Sequence, residues 1–380
     1  MRVLYVIPSM RRGGAETLLA AQVPHFIAQG VEPIIVTISD QDALIRETQL
    51  PVRHVSLGLT SATSTIGGFW LSIAIARRLR RVIREFRPDL VHLNLYKSDA
   101  WGRLAARGLS DTVTTWHSTD RWMSQRSISN VFRRWLERRT LKRSSAHVIA
   151  VSEAVRTWSC QHLRVPSDRA RTIYNGVDLS RFIDAIPSRH NRPLRIVMVG
   201  RFYREKGQDI ALEALRLVRD AVVPFTADLL GEGPLLEDMK RLAKQLDLGD
   251  SVRFCGVCRD VPAALPSYDL FLMPSRFEGL GMAALEAMAS YVPAVASRVS
   301  GLQEVFDHEE NGLLVPPEDP QALAEAIIRM LQDEPLRRRL ALAARRKVER
   351  CFDLKRQVQK IMAYYRQICG KDGGAMDDEP

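Results

Sequence analysis

A chain of 380 residues is longer than one hydrophobic core usually supports, so two domains are expected. Hydrophobic residues make up 46% and charged residues 26%, which excludes a disordered or fibrous protein. Residues 1–185 carry 27 Lys and Arg against 15 Asp and Glu (+12), and the remainder carries 28 against 29 (−1). The first half is therefore expected to meet an anionic partner.

The chain has no run of about 18 apolar residues, the length that a membrane-spanning helix needs. Its first residues enter a strand-like run at 3–7 without the charged, apolar and cleavable parts of a signal peptide. These patterns predict a cytoplasmic protein.

Short apolar runs and helical patterns alternate through the first half of the chain. Buried parallel strands are predicted at residues 3–7, 31–38, 52–57, 90–95, 112–116 and 146–151. Helices are predicted at residues 15–29, 68–86, 97–108, 126–142 and 153–162. This alternation is typical of a doubly wound α/β sheet.

A polar, Pro-bounded stretch at 179–193 is predicted to link this domain to a second one. There the alternation restarts, with strands predicted at 194–200, 225–230, 251–255, 269–273 and 292–296. Helices are predicted at 206–220, 234–247, 281–290, 319–332, 334–350 and 353–368. Two such domains are expected to face a central cleft, into which the ligand-binding ends of the strands point.

The strongest chemical pattern follows the predicted strand 269–273. Glu278 lies in the loop, a helix starts three residues later, and Glu286 lies about a turn and a half into it. A close backbone approach to a ligand is predicted for Gly279, Leu280 and Gly281. The unpaired N–H groups of the helix start favour a phosphate there. The alternative is a glycine-capped helix whose dipole favours acids in its first turns.

Two cations follow the first strand of the second domain. Arg201 lies at the strand tip, and Lys206 lies at the start of the next helix. Two cations suit a diphosphate whose negative charge grows as it departs, although loop cations are usually only solvated.

The first domain offers two further candidate positions. Gly13 and Gly14 follow the first strand and open a helix, and Gly14 permits close approach to phosphates. His117 ends the strand 112–116, and Asp120 could orient it or merely cap the next segment. A glycine-rich turn and a strand-end histidine with a satisfied hydrogen bond are the structural alternatives.

These motifs resemble those of the family 4 retaining glycosyltransferases of the GT-B fold, often called glycosyl transferases group 1. The resemblance runs from Gly13-Gly14-Ala15-Glu16 to the C-terminal helix. It rests on the glutamate pair Glu278 and Glu286 and on further segments, namely Asn175-Gly-Val-Asp178, Gly200-Arg201…Lys206-Gly207, Gly231-Glu-Gly-Pro234 and Val292 to Val305.

The resemblance implies roles for the candidate residues. Arg201 and Lys206 would bind the donor diphosphate, Glu286 the ribose and Glu278 the hydroxyls of the donor sugar. His117 would lie near the transferred sugar. Backbone contacts to the donor are implied for Gly13, Gly14, Gly279, Leu280 and Gly281, and the loop with Val257 would receive the base.

The resemblance also implies a domain plan and a reaction. Residues 1–180 would bind the acceptor and 181–350 the nucleotide sugar, 351–369 would form a helix packing back toward the first domain, and 370–380 would be a disordered tail. The expected reaction retains the anomeric configuration and needs neither metal nor cofactor. A UDP-sugar is the favoured donor, and a glycan or lipid-linked molecule of bacterial surface polysaccharide or glycolipid biosynthesis is the acceptor.

Basic amphipathic segments at 77–87 and 127–143 suggest what the charged half contacts. Such helices can lie on an anionic bilayer, which predicts peripheral binding to the inner face of the cytoplasmic membrane. The apolar side of such a helix can instead pack on the sheet. Nothing resembles a nucleic-acid-binding module, so no nucleic-acid partner is expected.

Two short motifs are interpreted as structural. Cys255-Gly-Val-Cys258 lacks a second pair of ligands and is predicted to be a buried strand end. Asp40-Gln-Asp42 has the form of a metal-diphosphate motif but is predicted to be a polar loop. Alternative functions for the whole chain are a sugar-nucleotide epimerase, a phosphorylase, or a non-catalytic partner that binds sugar nucleotides.

Overall fold

A computed structural model describes residues 1–11, 13–59, 65–118, 128–143, 146–186, 193–221 and 223–370. The chain forms two compact units. The first contains Met1–Asn175 together with the residues from Leu354 onward, and the second contains Gly176–Asp353. The predicted tail lies outside the described residues apart from Gly370.

The first unit is built on a sheet of seven parallel strands. They are β1 (Arg2–Ile7), β2 (Glu32–Thr37), β3 (Arg53–Ser56), β4 (Leu90–Asn94), β5 (Asp111–Trp116), β6 (His147–Ala150) and β7 (Ala170–Thr172). Their order is β3-β2-β1-β4-β5-β6-β7, and it reverses direction beside β1.

The second unit has six parallel strands. They are β8 (Leu194–Val199), β9 (Phe225–Leu230), β10 (Val252–Gly256), β11 (Leu270–Met273), β12 (Ala294–Ser297) and β13 (Leu313–Val315). The order β10-β9-β8-β11-β12-β13 again reverses beside the first strand, which brings the loops after β8 and β11 together.

Helices connect the strands of both sheets. In the first half they are α1 (Gly14–Ala28), α2 (Ala43–Thr48), α3 (Thr65–Phe86), α4 (Tyr96–Ala106), α5 (Ile128–Arg143) and α6 (Glu153–Leu163). They continue with α7 (Gln208–Asp220), α8 (Leu236–Gln245), α9 (Val261–Ala264), α10 (Met282–Ala289), α11 (Ser300–Val305), α12 (Pro320–Gln332), α13 (Glu334–Cys351) and α14 (Leu354–Ile368).

Each face of the first sheet has its own apolar core. Tyr5 and Ile7 pack with α1 and α14 on one face, and Leu4 and Val6 pack with α3 on the other. The apolar side of α3, including Leu79, is buried in this second core. None of the described helices combines the length and apolarity that crossing a bilayer requires.

Helix α14 belongs to the first unit although it ends the chain. Tyr364 Oη lies 3.1 Å from His147 Nδ1. The next residue, Tyr365, makes a buried hydrogen bond to Nδ1 of His92. Two consecutive tyrosines therefore attach the last helix to β6 and β4.

The structure confirms the prediction of two doubly wound α/β domains with parallel sheets. It adds the strands β7 and β13 and the helices α2, α9 and α11, which the sequence patterns did not predict. β7 and β13 have three residues each, α9 has four, and α2 and α11 have six each, too few for a periodic pattern to identify.

Candidate functional site

The carboxyl ends of neighbouring strands gather the predicted residues of the second unit. Arg201 follows β8, Val257 follows β10, and Glu278 follows β11. Backbone hydrogen bonds join the loops after β8, β9 and β10: Gly200 N donates to Leu230 O, and Gly231 N donates to Gly256 O. These loops therefore form one continuous edge of the sheet.

Lys206 and Glu278 form an ion pair at this edge. Nζ of Lys206 donates to Oε1 of Glu278 at 2.6 Å, and Oγ of Ser275 donates to the same oxygen at 2.9 Å. Glu278 is only 8% exposed. A buried carboxylate is costly without partners, so this pair has a defined geometry rather than the freedom of a surface contact.

Three glycines fit the Glu278 loop closely against its neighbours. Gly207 has φ +69°, and a Cβ there would lie 2.1 Å from Pro274 O. Gly281, with φ +95°, immediately precedes α10. A Cβ on Gly301 would lie 2.4 Å from Glu278 O. A side chain at any of these positions would therefore displace the loop or strain its backbone.

Arg276 is a residue that the sequence analysis missed. Its guanidinium donates two hydrogen bonds of 2.8 Å to the carboxylate of Asp209 and one of 2.7 Å to Glu318. It also donates to Arg204 O at 3.0 Å, and its backbone N donates to Glu205 O. Arg276 thus holds the Glu278 loop against the turn that carries Lys206.

Bidentate contact with Arg276 also changes the acidity of Asp209. Burial raises the pKa of this carboxyl, but the hydrogen bonds from Arg276 outweigh it and lower the pKa below its ordinary value. Arg276 resembles an ordinary loop cation in the sequence, because only the fold brings Asp209 opposite it.

The remaining predicted residues of the second unit differ in exposure. Arg201 is exposed, with its guanidinium 4.8 Å from the Tyr203 ring, and Val257 is 45% exposed. Glu286 lies half-buried on α10. Burial raises the pKa of Glu286 to about 7, and attraction to Arg181 opposes this.

Glycine-rich sequence and His117 lie at one end of the first sheet. Gly13 directly precedes α1 and Gly14 begins it. A Cβ on Gly14 would meet no atom of the described residues within 4 Å. Ala15, the next residue, and His117 line the same pocket.

This pocket has a mixed lining, with polar side chains among apolar ones. Asn94, Thr115, Asn175 and Gln357 contribute to it. Nδ2 of Asn94 and Nε2 of His117 are buried and have no hydrogen-bond partner in the described part of the chain. Burial lowers the pKa of His117 to about 4, so its ring is neutral near pH 7. Asp120 lies outside the described residues.

The structure describes both short motifs, Asp40-Gln-Asp42 and Cys255-Gly-Val-Cys258, and the predicted burial of Cys255 was wrong. Asp40 accepts a hydrogen bond from Ser56, and Asp42 pairs with Arg46 at 3.0 Å. Cys255 ends a strand as predicted but is exposed rather than buried, because it lies in the edge strand β10. No cluster of three or more metal-ligating side chains occurs among the described residues.

Comparison with protein families gives two adjoining matches. Residues 12–181 match the model described as Glycosyltransferase Family 4, and residues 181–347 match Glycosyl transferases group 1. The two models together span most of the chain.

The chain is also similar to individual proteins that are named as glycosyltransferases. The amylovoran biosynthesis glycosyltransferase AmsK of Erwinia amylovora is 33% identical over 50% of this chain and 48% of its own. The chain thus spans about half the length of that relative. A UDP-Gal:alpha-D-GlcNAc-diphosphoundecaprenol alpha-1,3-galactosyltransferase of Escherichia coli is 26% identical over 76% of this chain and 77% of its own.

The fold also matches solved structures. The crystal structure of HepE from Anabaena in complex with UDP and glucose superposes with a TM-score of 0.80, at 22% identity, over 97% of this chain and 100% of that one. The chain therefore belongs to the family 4 glycosyltransferases, and its two Rossmann-like domains have the GT-B fold.

Proposed function

We propose that this protein is a retaining glycosyltransferase that moves a sugar from a UDP-sugar to a glycan or lipid-linked acceptor. The main support is the ion pair of Lys206 with Glu278, held beside the glycine-rich start of α10. This arrangement combines a cation, the backbone N–H groups of a helix start and a carboxylate within one loop system. These are the groups that a diphosphate and a sugar require.

In this proposal the second unit binds the donor. Lys206 and Arg201 bind the diphosphate, and the backbone of Gly279, Leu280 and Gly281 adds contacts. Glu278 accepts hydrogen bonds from sugar hydroxyls, and Glu286 accepts them from the ribose. The loop with Val257 receives the base. In the first unit, Gly13 and Gly14 approach the phosphates, and His117 contacts the transferred sugar.

The chemical step is a substitution at the anomeric carbon. The bond from this carbon to the phosphate oxygen breaks, and a bond to the acceptor hydroxyl oxygen forms on the same face. The departing phosphate takes the proton of the acceptor hydroxyl. Lys206 and Arg201 offset the negative charge that grows on the leaving group, so they act most strongly in the transition state.

Metal independence is part of the proposal. Its support is that two cationic side chains follow β8 and can neutralise a diphosphate without a divalent ion. The Asp40-Gln-Asp42 carboxylates are engaged with Ser56 and Arg46 instead.

The acceptor is proposed to be lipid-linked, as in the name of the Escherichia coli relative. The enzyme would then act in the cytoplasm, bound peripherally to the inner face of the membrane. Supporting this, α3 presents exposed arginines at 77, 81 and 84 while its apolar side is buried. Membrane contact through α3 is therefore expected to be electrostatic.

Helix α5 presents an exposed aromatic side chain among cations. Trp135 is 52% exposed, and the guanidinium of Arg139 lies 5.3 Å from its ring. Arg138 and Lys142 are exposed on the same helix. A tryptophan among cations suits the interface between lipid headgroups and acyl chains.

A panel of nucleotide sugars tests the donor. Thermal shift with UDP-, GDP- and ADP-sugars should show stabilisation by a UDP-sugar, about 2.7 kcal/mol at 100 times its Kd. Incubation with a polyprenyl-diphosphate-linked sugar should release UDP and give an α-linked product by NMR. A β-linked product would contradict retention, and an epimerised or phosphorylated sugar without transfer would favour the alternative functions.

Liposome co-sedimentation tests the membrane proposal. Wild-type protein should sediment with vesicles containing anionic lipid and remain in solution with neutral ones. Reversal of charge at Arg77, Arg81 and Arg84, or Trp135→Ala, should weaken sedimentation. Equal, weak binding to both vesicle types would refute the proposal.

A further inference from the structure

Two buried polar atoms share one pocket in the first unit. Neither Nδ2 of Asn94 nor Nε2 of His117 has a hydrogen-bond partner among the residues that the structure describes, and both side chains line this pocket. Asn94 is only 6% exposed. An unpaired buried polar group lowers stability, so two in one pocket indicate that a ligand group or an ordered water belongs there.

Strand register places Asn94 beside the strand that leads to His117. Asn94 on β4 is the neighbour of Thr115 on β5, and His92 lies two residues earlier on the same face. Both ring nitrogens of His92 are already bonded, Nε2 to Thr115 at 2.6 Å and Nδ1 to Tyr365. Among the buried polar atoms of the pocket lining, Asn94 Nδ2 and His117 Nε2 are the two without a hydrogen-bond partner in the described part of the chain.

The backbone beside Asn94 is held in an unusual conformation. Leu95 has φ +66°, which non-glycine residues rarely adopt. Oγ of Ser98 donates to the carbonyls of both Asn94 and Leu95 and so fixes this turn. The backbone at Asn94 is therefore held in place by the fold before any ligand arrives.

The chemistry of the two atoms selects the ligand group. Nδ2 of Asn94 can only donate, whereas Nε2 of the neutral His117 ring can accept. A hydroxyl accepts and donates at one oxygen, a phosphate or carboxylate cannot donate, and an ammonium cannot accept. The enclosed part of the recess is about the size of one water molecule, which suits a single hydroxyl.

We propose that this pocket binds one hydroxyl of a sugar substrate: Asn94 Nδ2 donates a hydrogen bond to the hydroxyl oxygen, and the hydroxyl donates one to His117 Nε2. The assignment rests on the proposed glycosyltransferase function and adds Asn94 to the substrate-binding residues. The hydroxyl can come from the donor sugar or from the acceptor, and the experiment below separates these sources.

Stability without any ligand is the first test. Leu has nearly the shape of Asn, so Asn94→Leu removes the unpaired amide and should melt at or above the wild-type temperature. Asn311→Leu is the matched control, because Asn311 is also buried but exchanges hydrogen bonds with Asp307. This control should melt lower. Equal losses in both variants would overturn the inference, since Asn94 would then have a partner within the fold.

Substrate binding is the second test, with Asn94→Ala as a further variant if Asn94→Leu does not fold. A donor hydroxyl predicts about 10-fold weaker binding of UDP-glucose with unchanged binding of UDP. An acceptor hydroxyl predicts unchanged binding of both and about a 10-fold higher KM for a polyprenyl-diphosphate-linked sugar. No change in any of these, or a water that stays in the pocket in every complex, would overturn the inference.

These outcomes are separable from failure of the proposed function. Wild-type protein that binds no UDP-glucose contradicts the proposed donor, while the melting comparison still tests the unpaired amide. If wild-type protein binds UDP-glucose, and the Asn94 variants change neither this binding nor the KM for the polyprenyl-diphosphate-linked sugar, only the hydroxyl site is contradicted.

Discussion

At the carboxyl edge of the second sheet, two groups of charged side chains satisfy one another. Lys206 pairs with Glu278, and Arg276 pairs with Asp209 and Glu318. At the same edge of the first sheet, the pocket around His117 holds neutral groups, and two of their buried atoms have no partner among the described residues. One unit thus offers a preorganised charged site, and the other offers unused hydrogen-bonding capacity.

This difference suggests a division of labour. Preorganised charges suit a step in which charge develops, because they need no rearrangement as it grows. Unpaired neutral groups suit recognition, because they gain partners only when the correct hydroxyl arrives. The following four predictions, from the largest expected effect to the smallest, can break or sharpen this comparison.

Removal of the Lys206 cation should have the largest effect. Lys206→Ala should lower kcat for UDP release about 10²–10³-fold if the cation stabilises the leaving group. Lys240→Ala is the control, since Lys240 pairs with Glu237 on the exposed surface of the same unit. In a Glu278→Gln background the loss should persist; if it vanishes, Lys206 serves only to hold Glu278.

Crowding the Glu278 loop should lower stability and donor binding together. A Cβ on Gly301 would lie 2.4 Å from Glu278 O and 2.6 Å from Gly279 O. Gly301→Ala should therefore destabilise the protein by about 1–3 kcal/mol in chemical denaturation and weaken UDP binding. Gly249→Ala, where a Cβ meets nothing within 4 Å, should change neither. Similar behaviour of both variants would contradict the close fit of the loop.

Loss of the Arg276 contacts should raise KM for the donor about 10-fold, because the Lys206 turn and the Glu278 loop lose their connection. Arg276→Lys should recover little, since it cannot donate two parallel hydrogen bonds to Asp209. Arg253→Ala breaks an ion pair with Asp228 in the same unit. If it raises KM equally, Arg276 contributes only general stability.

The two units should respond oppositely to pH. Glu286 has a pKa of about 7 in the folded state against an ordinary value of 4.5, so it keeps its proton to higher pH. The folded protein therefore loses stability as pH rises through this range. His117 resists protonation, with a pKa of about 4 against 6.5, so its contribution is lost as pH falls through that range. For each kcal/mol of stability lost, Tm is expected to fall by about 2–4 °C.

Neutral replacements can isolate the two contributions. The Tm of wild type minus that of Glu286→Gln should decrease as the pH rises from 5 to 8. The Tm of wild type minus that of His117→Asn should decrease as the pH falls from 6.5 to 4. Parallel curves for wild type and either variant would show that the replaced group does not titrate in that range.

Sequence patterns predicted the parallel sheets, because buried apolar runs alternate with long amphipathic helices. They also found Lys206 and Glu278, since glycine-rich loops and charges after strands are local signals. Arg276 and Asn94 had no such signal. Arg276 needs Asp209, which lies 67 positions away, and Asn94 resembles an ordinary strand end until the register places it beside Thr115.

The attachment of α14 through Tyr364 and Tyr365 has a consequence for engineering. A truncation at residue 353 would remove the wall that Gln357 contributes to the pocket and leave His92 and His147 without these partners. Exchange of the second unit with that of a relative therefore needs two splice points, near 175 and near 353. A chimera joined at a single point would combine one parent's sheet with the other parent's closing helix.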